Sequence, residues 1–367
     1  MKIRCDLCNL IFDFPTEINN HKHQSMELEG VPCNFWTCED YKININLDKT
    51  KKGIFSFQKL YPIDLVEKSL GEGNTPLIKI SNNLFIKDES ENPTGSFKDR
   101  GMPFVMNEVL YHNKKKIAIC STGNAAISLV NYAKLYNLES IVFVPKSIDK
   151  KKKEELSIAT KIMYSDNEIS CFEDFFEYCN INNEVFNGFL STNISYLLGL
   201  ESLTYELYYQ FKCNTPDYIF IPCASGGNIV SQYNAWKKLY NEKLINKIPK
   251  LVLIQIEGGN PIEQGFNKKV EEKLYIIDNP IFSKTILSTD TCFNYFKIYK
   301  MIKENICIPI SIKDKEIDAV EDKYKEKYDY TSLSVFAAYN KYKKNIKNTE
   351  KSVLIVTAKN RGINYDK

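Results

Sequence analysis

The residues best suited to catalytic chemistry lie around Lys98, within the stretch Gly95-Ser-Phe-Lys-Asp-Arg-Gly101. The flanking small residues permit a close approach to a ligand, and the pattern that follows predicts a helix. A lysine amine partly removed from water near a helix N-terminus has a lowered pKa, and the neutral amine is the form that condenses with a carbonyl to an imine. Lys98 is therefore a candidate nucleophile, although a lysine in the first turn of a helix is more often an ordinary surface residue.

A second turn, Cys120-Ser-Thr-Gly-Asn-Ala-Ala126, follows an apolar strand pattern and opens another predicted helix. The backbone N–H groups of Ser121, Thr122, Gly123 and Asn124 can form a nest for an anion such as a substrate carboxylate. The side chain of Asn124 could also hydrogen-bond a ring oxygen of a ligand beside it. The alternative is an ordinary helix cap, because Ser, Thr and Asn are preferred capping residues.

A third turn, Pro222-Cys-Ala-Ser-Gly-Gly-Asn228, again joins an apolar strand pattern to a helix. Glycine lets the backbone of the turn come close to a phosphate at the positive helix end. Open α/β sheets collect ligands at the carboxyl ends of their strands, where all three turns must lie. An imine lysine, a carboxylate nest and a phosphate cradle together predict a site for pyridoxal 5′-phosphate (PLP).

Alternating strand and helix patterns carry these turns. The pattern predicts strands at 84–87, 116–120, 140–145, 218–222, 250–256 and 352–357, and helices at 99–112, at 125–135 and after residue 228. Such alternation is typical of an α/β fold with largely parallel sheets. A chain of 367 residues exceeds the usual size of a single core, so we expect two packed subdomains and a small appendage.

Several of these segments resemble the threonine synthase family of fold-type II, or tryptophan-synthase-β-like, PLP enzymes. The resemblance runs from about Gly71 to the C-terminus and rests on Gly71-Glu-Gly-Asn-Thr-Pro-Leu77, Lys87-Asp-Glu89, Asn92-Pro-Thr-Gly-Ser-Phe-Lys-Asp-Arg-Gly101 and Ser121-Thr-Gly-Asn124. It implies a catalytic domain over residues 43–367, whose smaller, mobile subdomain covers about 101–187. It also implies a homodimer that acts on a small amino-acid substrate in amino-acid biosynthesis.

The resemblance assigns roles to individual residues. It implies that Lys98 forms the imine, that Asn124 contacts the ring hydroxyl of the cofactor, that Gly226, Gly227 and Asn228 hold its phosphate, and that Thr357 meets its pyridine nitrogen. The implied enzyme is a carbon–oxygen lyase or synthase whose substrate carries a side-chain leaving group. O-phosphohomoserine, converted to threonine, is the leading substrate.

The sequence departs from the family pattern where the substrate phosphate would bind. Ala125 replaces a threonine, Tyr196 stands where the family has an arginine, Ser225 replaces an asparagine, and Ala358 replaces the glycine that usually follows Thr357. Charge-assisted hydrogen bonds contribute about 1.5–3 kcal/mol each, so these changes weaken the case for a phosphorylated substrate. A β-replacing synthase acting on O-phosphoserine or a similar substrate, or a serine/threonine dehydratase, stays open. A catalytically silent protein that binds partners is a further alternative.

The first 42 residues form a separate cysteine-rich module in this interpretation. Cys5, Cys8, Cys33 and Cys38 have spacing consistent with a tetrahedral zinc ribbon, which would stabilise a unit too small for its own core. A competing ligand set is Cys5, Cys8, His21 and His23, but its final His-x-His is shorter than the spacing of a zinc finger.

Composition limits the remaining function classes. The net charge is +3, from 49 basic and 46 acidic side chains, which predicts no broad nucleic-acid or membrane footprint. The charged runs at 150–155 and 312–328 have mixed signs that favour solvated helix faces. No signal peptide or long apolar segment is evident, so we expect a cytoplasmic protein whose 11 cysteines are mainly thiols. With only 3 histidines, lysine is the more promising catalytic residue.

Overall fold

The computed structural model describes residues 2–5, 10–13, 36–38, 47–61, 63–191, 193–271, 273–281 and 283–362. Its strands are β1 Lys2–Cys5, β2 Ile11–Asp13, β3 Trp36–Cys38, β4 Leu77–Lys79, β5 Leu84–Asp88, β6 Lys116–Cys120, β7 Glu139–Pro145, β8 Lys161–Ser165, β9 Val185–Asn187, β10 Tyr218–Pro222, β11 Lys250–Ile256, β12 Cys307–Ile312 and β13 Ser352–Val356. Its α-helices are α1 Met102–Tyr111, α2 Asn124–Leu135, α3 Lys150–Glu155, α4 Glu168–Ile181, α5 Ile194–Leu200, α6 Ser202–Gln210, α7 Gly227–Asn241, α8 Pro261–Asn267, α9 Tyr295–Lys303, α10 Asp314–Tyr324 and α11 Tyr330–Tyr342.

The larger sheet has six strands in the order β12-β11-β10-β13-β5-β4. All neighbours run parallel except the edge pair β4 and β5, which is antiparallel. Side chains alternate between the two faces of a strand, so Ile219 and Ile221 enter one apolar core while Phe220 enters the other. Because both faces are covered, β10 is a continuous apolar run, as is typical of central parallel strands.

The smaller sheet has four parallel strands in the order β8-β7-β6-β9. Ile117 and Ile119 of β6 face the core that includes α1 and α2, whereas Ala118 faces Phe143 and Phe175, on the side of α4. The parallel α/β architecture predicted from the sequence is confirmed. The residue limits of the subdomains stay a prediction.

The N-terminal strands form a small antiparallel sheet in the order β2-β1-β3, in which Ile3 pairs with Cys38 and Cys5 with Trp36. The backbones of Cys5 and Cys38 therefore lie on neighbouring strands. The structure does not describe the side chains of these two cysteines. Cys8, Cys33, His21 and His23 lie wholly outside the described residues. Within the described residues, no group of three or more His, Cys, Asp or Glu side chains could hold a metal ion. Zinc binding stays a prediction.

The helix that follows Lys98 begins later than predicted. Residues Phe97–Gly101 form a 3-10 helix, and the α-helix starts at Met102. Pro103 lies in the first turn of α1, where no helical hydrogen bond needs its missing N–H. An α-helix that extended back through Lys98 would place Pro103 in its interior and lose a hydrogen bond. The charged run 150–155 is a helix with no buried residue, as predicted. Across the described ranges, no helix is both long and apolar enough to span a bilayer.

Candidate active site

Lys98 lies half-buried between two aromatic rings. Its Nζ is 4.7 Å from the centre of the Phe97 ring and 5.5 Å from the centre of the Tyr196 ring. Removal of the amine from water lowers its pKa from 10.5 to about 8. The sequence attributed such a shift partly to a helix N-terminus, but desolvation is the cause within the described structure. About a tenth of the amine is therefore neutral at pH 7, far more than for a lysine with the ordinary pKa.

Two backbone contacts fix the segment that carries Lys98. The N–H of Phe97 donates to the carbonyl oxygen of Thr357 at 3.0 Å, and Ser96 forms a β-bridge with Ala358. Gly101 has no room for a side chain, because an added Cβ would lie 2.2 Å from Cδ2 of Tyr196. This close approach allows the Tyr196 ring to reach the lysine. The Ser96 hydroxyl is buried without a hydrogen-bond partner among the described residues, and sequence reasoning missed it.

The second turn lies at the carboxyl end of β6, where the predicted residues Ser121, Thr122, Gly123 and Asn124 are all half-buried. An added Cβ at Gly123 would meet nothing within 4 Å, so this loop borders open space. Gly123, not Asn124, is the N-cap of α2. Asn124 is the first residue of α2, and its side chain has another partner.

That partner is Arg361, which lies three residues after Ala358, in the segment where the sequence departs from the family pattern. Its Nε donates to Oδ1 of Asn124 at 2.9 Å, and its Nη2 donates to the carbonyl oxygen of Thr94 at 2.6 Å. Its Nη1 forms an ion pair with Glu155, and 6% of the side chain is exposed. Arg361 thus joins the segment before Lys98 to the turn that carries Asn124.

The third turn opens α7 and has the features of an anion cradle. Gly226 adopts a left-handed conformation, with φ of 86°, and α7 begins at Gly227. Oδ1 of Asn228 accepts from Nε2 of Gln232 at 3.1 Å, which leaves Nδ2 as a donor. That Nδ2 is buried and has no partner among the described residues. An unpaired buried donor at the positive end of a helix fits a phosphate group.

Thr357 follows directly after β13, and its side chain is held by Ser332 of α11. The two hydroxyl oxygens are 3.0 Å apart, and the Ser332 oxygen also accepts from the backbone N–H groups of Thr357 and Ala358 at 3.0 Å and 2.9 Å. The threonine hydroxyl is therefore fixed in position close to the backbone of Phe97. Ser332 has no sequence motif around it, so only the fold reveals this role.

A buried group of four charged side chains lies next to this region, where Lys87 and Glu89 of the sequence motif meet Arg100 and Glu206. Nε of Arg100 lies 2.5 Å from Glu89, and Glu206 forms ion pairs with Arg100 and with Lys87. Burial alone would raise the pKa of Glu206, but the Arg100 and Lys87 charges lower it to about 2. The two cations and two carboxylates balance, so the group anchors Arg100, two residues after Lys98.

The predicted site residues come together through these contacts. Phe97 joins Lys98 to Thr357, and Arg361 joins Thr94 to Asn124. An added Cβ at Gly227 would lie 2.9 Å from Cδ2 of Leu197, the neighbour of Tyr196, so the glycine turn also borders the lysine region. The unpaired Nδ2 of Asn228 and the left-handed Gly226 fit the phosphate of PLP, and the amine of Lys98 fits its aldehyde.

Comparisons with known proteins agree with this arrangement. The family described as "Pyridoxal-phosphate dependent enzyme" matches residues 68–358. The threonine synthase of Methanocaldococcus jannaschii is 26% identical over 287 residues, which cover 73% of this chain and 69% of the relative. The threonine synthase of Methanosarcina acetivorans is 27% identical over 299 residues, which cover 77% of this chain and 73% of the relative.

A solved structure shares the fold. The L-serine ammonia-lyase of the fungus Rhizomucor miehei superposes with a TM-score of 0.66 at 18% sequence identity, and the match covers 78% of this chain and 93% of that chain. Identity this low establishes the architecture alone. The resemblance to threonine synthases drawn from the sequence motifs is confirmed by the curated relatives.

Proposed function

Because the chain belongs to the family of pyridoxal-phosphate dependent enzymes, we propose that it is a lyase or synthase acting on an amino acid with a leaving group on its side chain. The observation that carries the proposal is the amine of Lys98, which desolvation brings to a pKa of about 8. The Gly226–Asn228 turn supports it with an unpaired buried donor at Asn228. A reactive amine and an anion cradle are what the cofactor requires.

Each predicted site residue has a role in holding the cofactor. Lys98 would hold it through its amine, the Gly226–Asn228 turn would receive its phosphate, Asn124 would donate to its ring oxygen, and Thr357 would contact its pyridine nitrogen. When bound, PLP stabilises negative charge at the Cα atom of an amino-acid substrate. A neutral threonine hydroxyl leaves the pyridine nitrogen unprotonated, which suits elimination and replacement chemistry.

The substrate roles fall to the same lysine and to the second turn. The backbone N–H groups of residues 121–124 orient the substrate carboxylate. The amine of Lys98, once released, accepts the proton from the substrate Cα at Nζ, and its pKa of about 8 suits a general base near neutral pH. The Phe97 and Tyr196 rings beside Nζ limit access of water to that proton.

O-phosphohomoserine is the leading substrate, because the relatives that match most of the chain are named threonine synthases. One observation favours a second candidate, a serine/threonine dehydratase, whose substrate carries no phosphate. A β-replacing synthase that uses O-phosphoserine is a further alternative, but its substrate carries the same dianion as O-phosphohomoserine. Tyr196 stands where the family has an arginine for the substrate phosphate, and its hydroxyl is neutral, because burial raises its pKa well above 10. A neutral phenol is a weaker partner than arginine for a dianion.

Product analysis on the purified full chain tests these candidates. The protein is incubated separately with O-phosphohomoserine, O-phosphoserine, serine and threonine, and threonine, phosphate and 2-oxo acids are measured. We expect equal amounts of threonine and phosphate from O-phosphohomoserine. A 2-oxo acid from serine or threonine, without threonine from O-phosphohomoserine, would replace the leading substrate by the second candidate.

A spectroscopic control separates enzyme chemistry from a silent binding role. Wild-type protein should show a visible absorbance band from the lysine-bound cofactor, and Lys98→Ala should lack it. A chain that holds no cofactor would favour partner binding.

We further propose a cytoplasmic homodimer and a zinc site formed by Cys5, Cys8, Cys33 and Cys38. Light scattering tests the dimer. Metal analysis tests the zinc, which should be lost in the double variant Cys5→Ser with Cys33→Ser.

A further inference from the structure

The contact between Arg361 and Asn124 assigns a role to a residue for which no motif predicts one. We propose that Arg361 is a positioning residue that sets the orientation of the Asn124 amide and thereby lowers the basicity of the cofactor's ring oxygen. The inference rests on the proposed function, in which Asn124 donates to the ring oxygen. It adds a residue from the far end of the chain, 237 positions away in sequence.

The orientation follows from donor and acceptor chemistry. Arginine has donors and no acceptor, so it can meet only the Oδ1 side of the Asn124 amide. The 2.9 Å contact from Nε therefore fixes Oδ1 toward the C-terminal segment and leaves Nδ2 on the other side. Without Arg361, the amide could rotate by half a turn and present an acceptor to an anionic ring oxygen, which would be repulsive.

The remaining contacts of Arg361 hold it in this position. Nη2 donates to the Thr94 carbonyl oxygen at 2.6 Å, and Nη1 pairs with Glu155 at the end of α3. Since the side chain is 6% exposed, the Glu155 carboxylate balances a charge that solvent screens poorly. Three directional contacts on one planar guanidinium leave little freedom, which lysine could not reproduce in full.

The same contacts tie the C-terminal segment to the smaller sheet region. Asn124 opens α2 and Glu155 ends α3, both between β6 and β8, whereas Thr94 lies in the segment before Lys98. Nζ of Lys151 also reaches the carbonyl oxygen of Gly362 at 2.5 Å. Lys151 thus contacts the same segment without touching Asn124, which makes it a control for mere attachment of the C-terminus.

The test compares Arg361→Gln with wild type by two measurements on cofactor-loaded full chain. An N–H donated to the ring oxygen lowers the basicity of that oxygen, so its loss should raise the pH midpoint of the visible absorbance by roughly 0.5–1 unit. The dissociation constant of PLP, measured by absorbance titration of the cofactor-free protein, should rise by about tenfold. Arg361→Lys should recover part of both effects.

A double-mutant cycle with Asn124→Ala shows whether Arg361 acts through Asn124. In the Asn124→Ala background, Arg361→Gln should change neither the midpoint nor the PLP dissociation constant any further. Additive effects would overturn the inference, because Arg361 would then act on the cofactor or on the fold directly. Circular dichroism identifies any variant that fails to fold. If Arg361→Gln fails to fold, the midpoint of Asn124→Ala, which keeps Arg361, is compared with that of wild type.

Two single variants complete the design. Glu155→Gln keeps an oxygen acceptor for Nη1 of Arg361 but removes the balancing charge, so the midpoint should move less than in Arg361→Gln. Lys151→Met should leave both measurements unchanged. If Arg361→Gln has the wild-type midpoint while Lys98→Ala abolishes the band, the positioning role of Arg361 fails and the proposed function stands. If wild-type protein has no Lys98-dependent band, the proposed function fails instead.

Discussion

The centre of the Tyr196 ring lies 5.5 Å from Nζ of Lys98, and the Tyr196 hydroxyl is buried without a hydrogen-bond partner among the described residues. A tyrosine therefore lies beside Lys98, at a position where the resemblance to threonine synthases implies an arginine. An unpaired buried hydroxyl costs about 1–3 kcal/mol, a cost that a bound ligand could relieve.

Tyr196→Phe tests this interpretation. We expect the cofactor-free variant to have a free energy of unfolding about 1 kcal/mol higher than wild type, because the unpaired hydroxyl is removed and the ring is kept. Urea denaturation measures the change. The matched control is Tyr132→Phe, whose hydroxyl donates to Glu72 at 2.6 Å and whose loss should destabilise the protein. A loss of stability in Tyr196→Phe would mean that its hydroxyl is already paired in the folded protein.

The pKa of Lys98 predicts how cofactor attachment depends on pH. The neutral amine dominates above a pKa of about 8, so the rate at which cofactor-free protein develops the visible band should rise with pH and level off above about 9. Stopped-flow absorbance measures this rate. A midpoint near 10.5, the ordinary value for lysine, would show that the amine is not desolvated. Lys98→Arg is the control that should form no band.

Asn228→Ala should weaken cofactor binding through its phosphate. The variant loses one charge-assisted hydrogen bond of about 1.5–3 kcal/mol, which corresponds to a PLP dissociation constant raised by roughly 10- to 100-fold. Gln232→Leu should give a smaller loss, because Nε2 of Gln232 then no longer holds Oδ1 of Asn228. Asn234→Ala, on the same helix, is the matched control and should bind PLP as wild type does. Equal affinity in Asn228→Ala and wild type would remove Asn228 from the cradle.

The buried charge group predicts an acid-sensitive component of stability. The pKa of Glu206 is lowered from 4.5 to about 2 in the folded protein, so its contribution is present above about pH 4.5 and is lost as the pH falls toward 2. At pH 7, Glu206→Gln should lower the free energy of unfolding by about 3 kcal/mol. Denaturant unfolding at several pH values should show that the variant has lost this part of the pH dependence.

The control for Glu206 is Glu173→Gln on the exposed face of α4, which should leave both the stability and its pH dependence unchanged. If Glu206→Gln is as stable as wild type at pH 7, the charge group contributes no net stability. In that case, its role would be limited to fixing the backbone around Arg100.

Local sequence predicted most of the architecture. The strands at 116–120, 218–222 and 250–256 have the predicted bounds, because short apolar runs between turn residues have a strong local signature. The late start of α1 was missed, although Pro103 carried the signal. The predicted direction of the Lys98 pKa shift was correct, but its cause is burial between Phe97 and Tyr196. Tyr196 belongs to α5, and no local sequence pattern indicates that this helix packs against the segment of Lys98.

Residue types within short segments predicted Lys98 as the reactive amine, the three turns and the cofactor family, because each depends on residues held within a few positions of one another. The side chains that orient those groups became apparent only from the folded chain. Arg361 on Asn124, Gln232 on Asn228 and Ser332 on Thr357 act across the fold or along one helix face, without a motif that marks them. Hydrogen-bond partners of this kind depend on three-dimensional proximity, which spacing along the chain does not record.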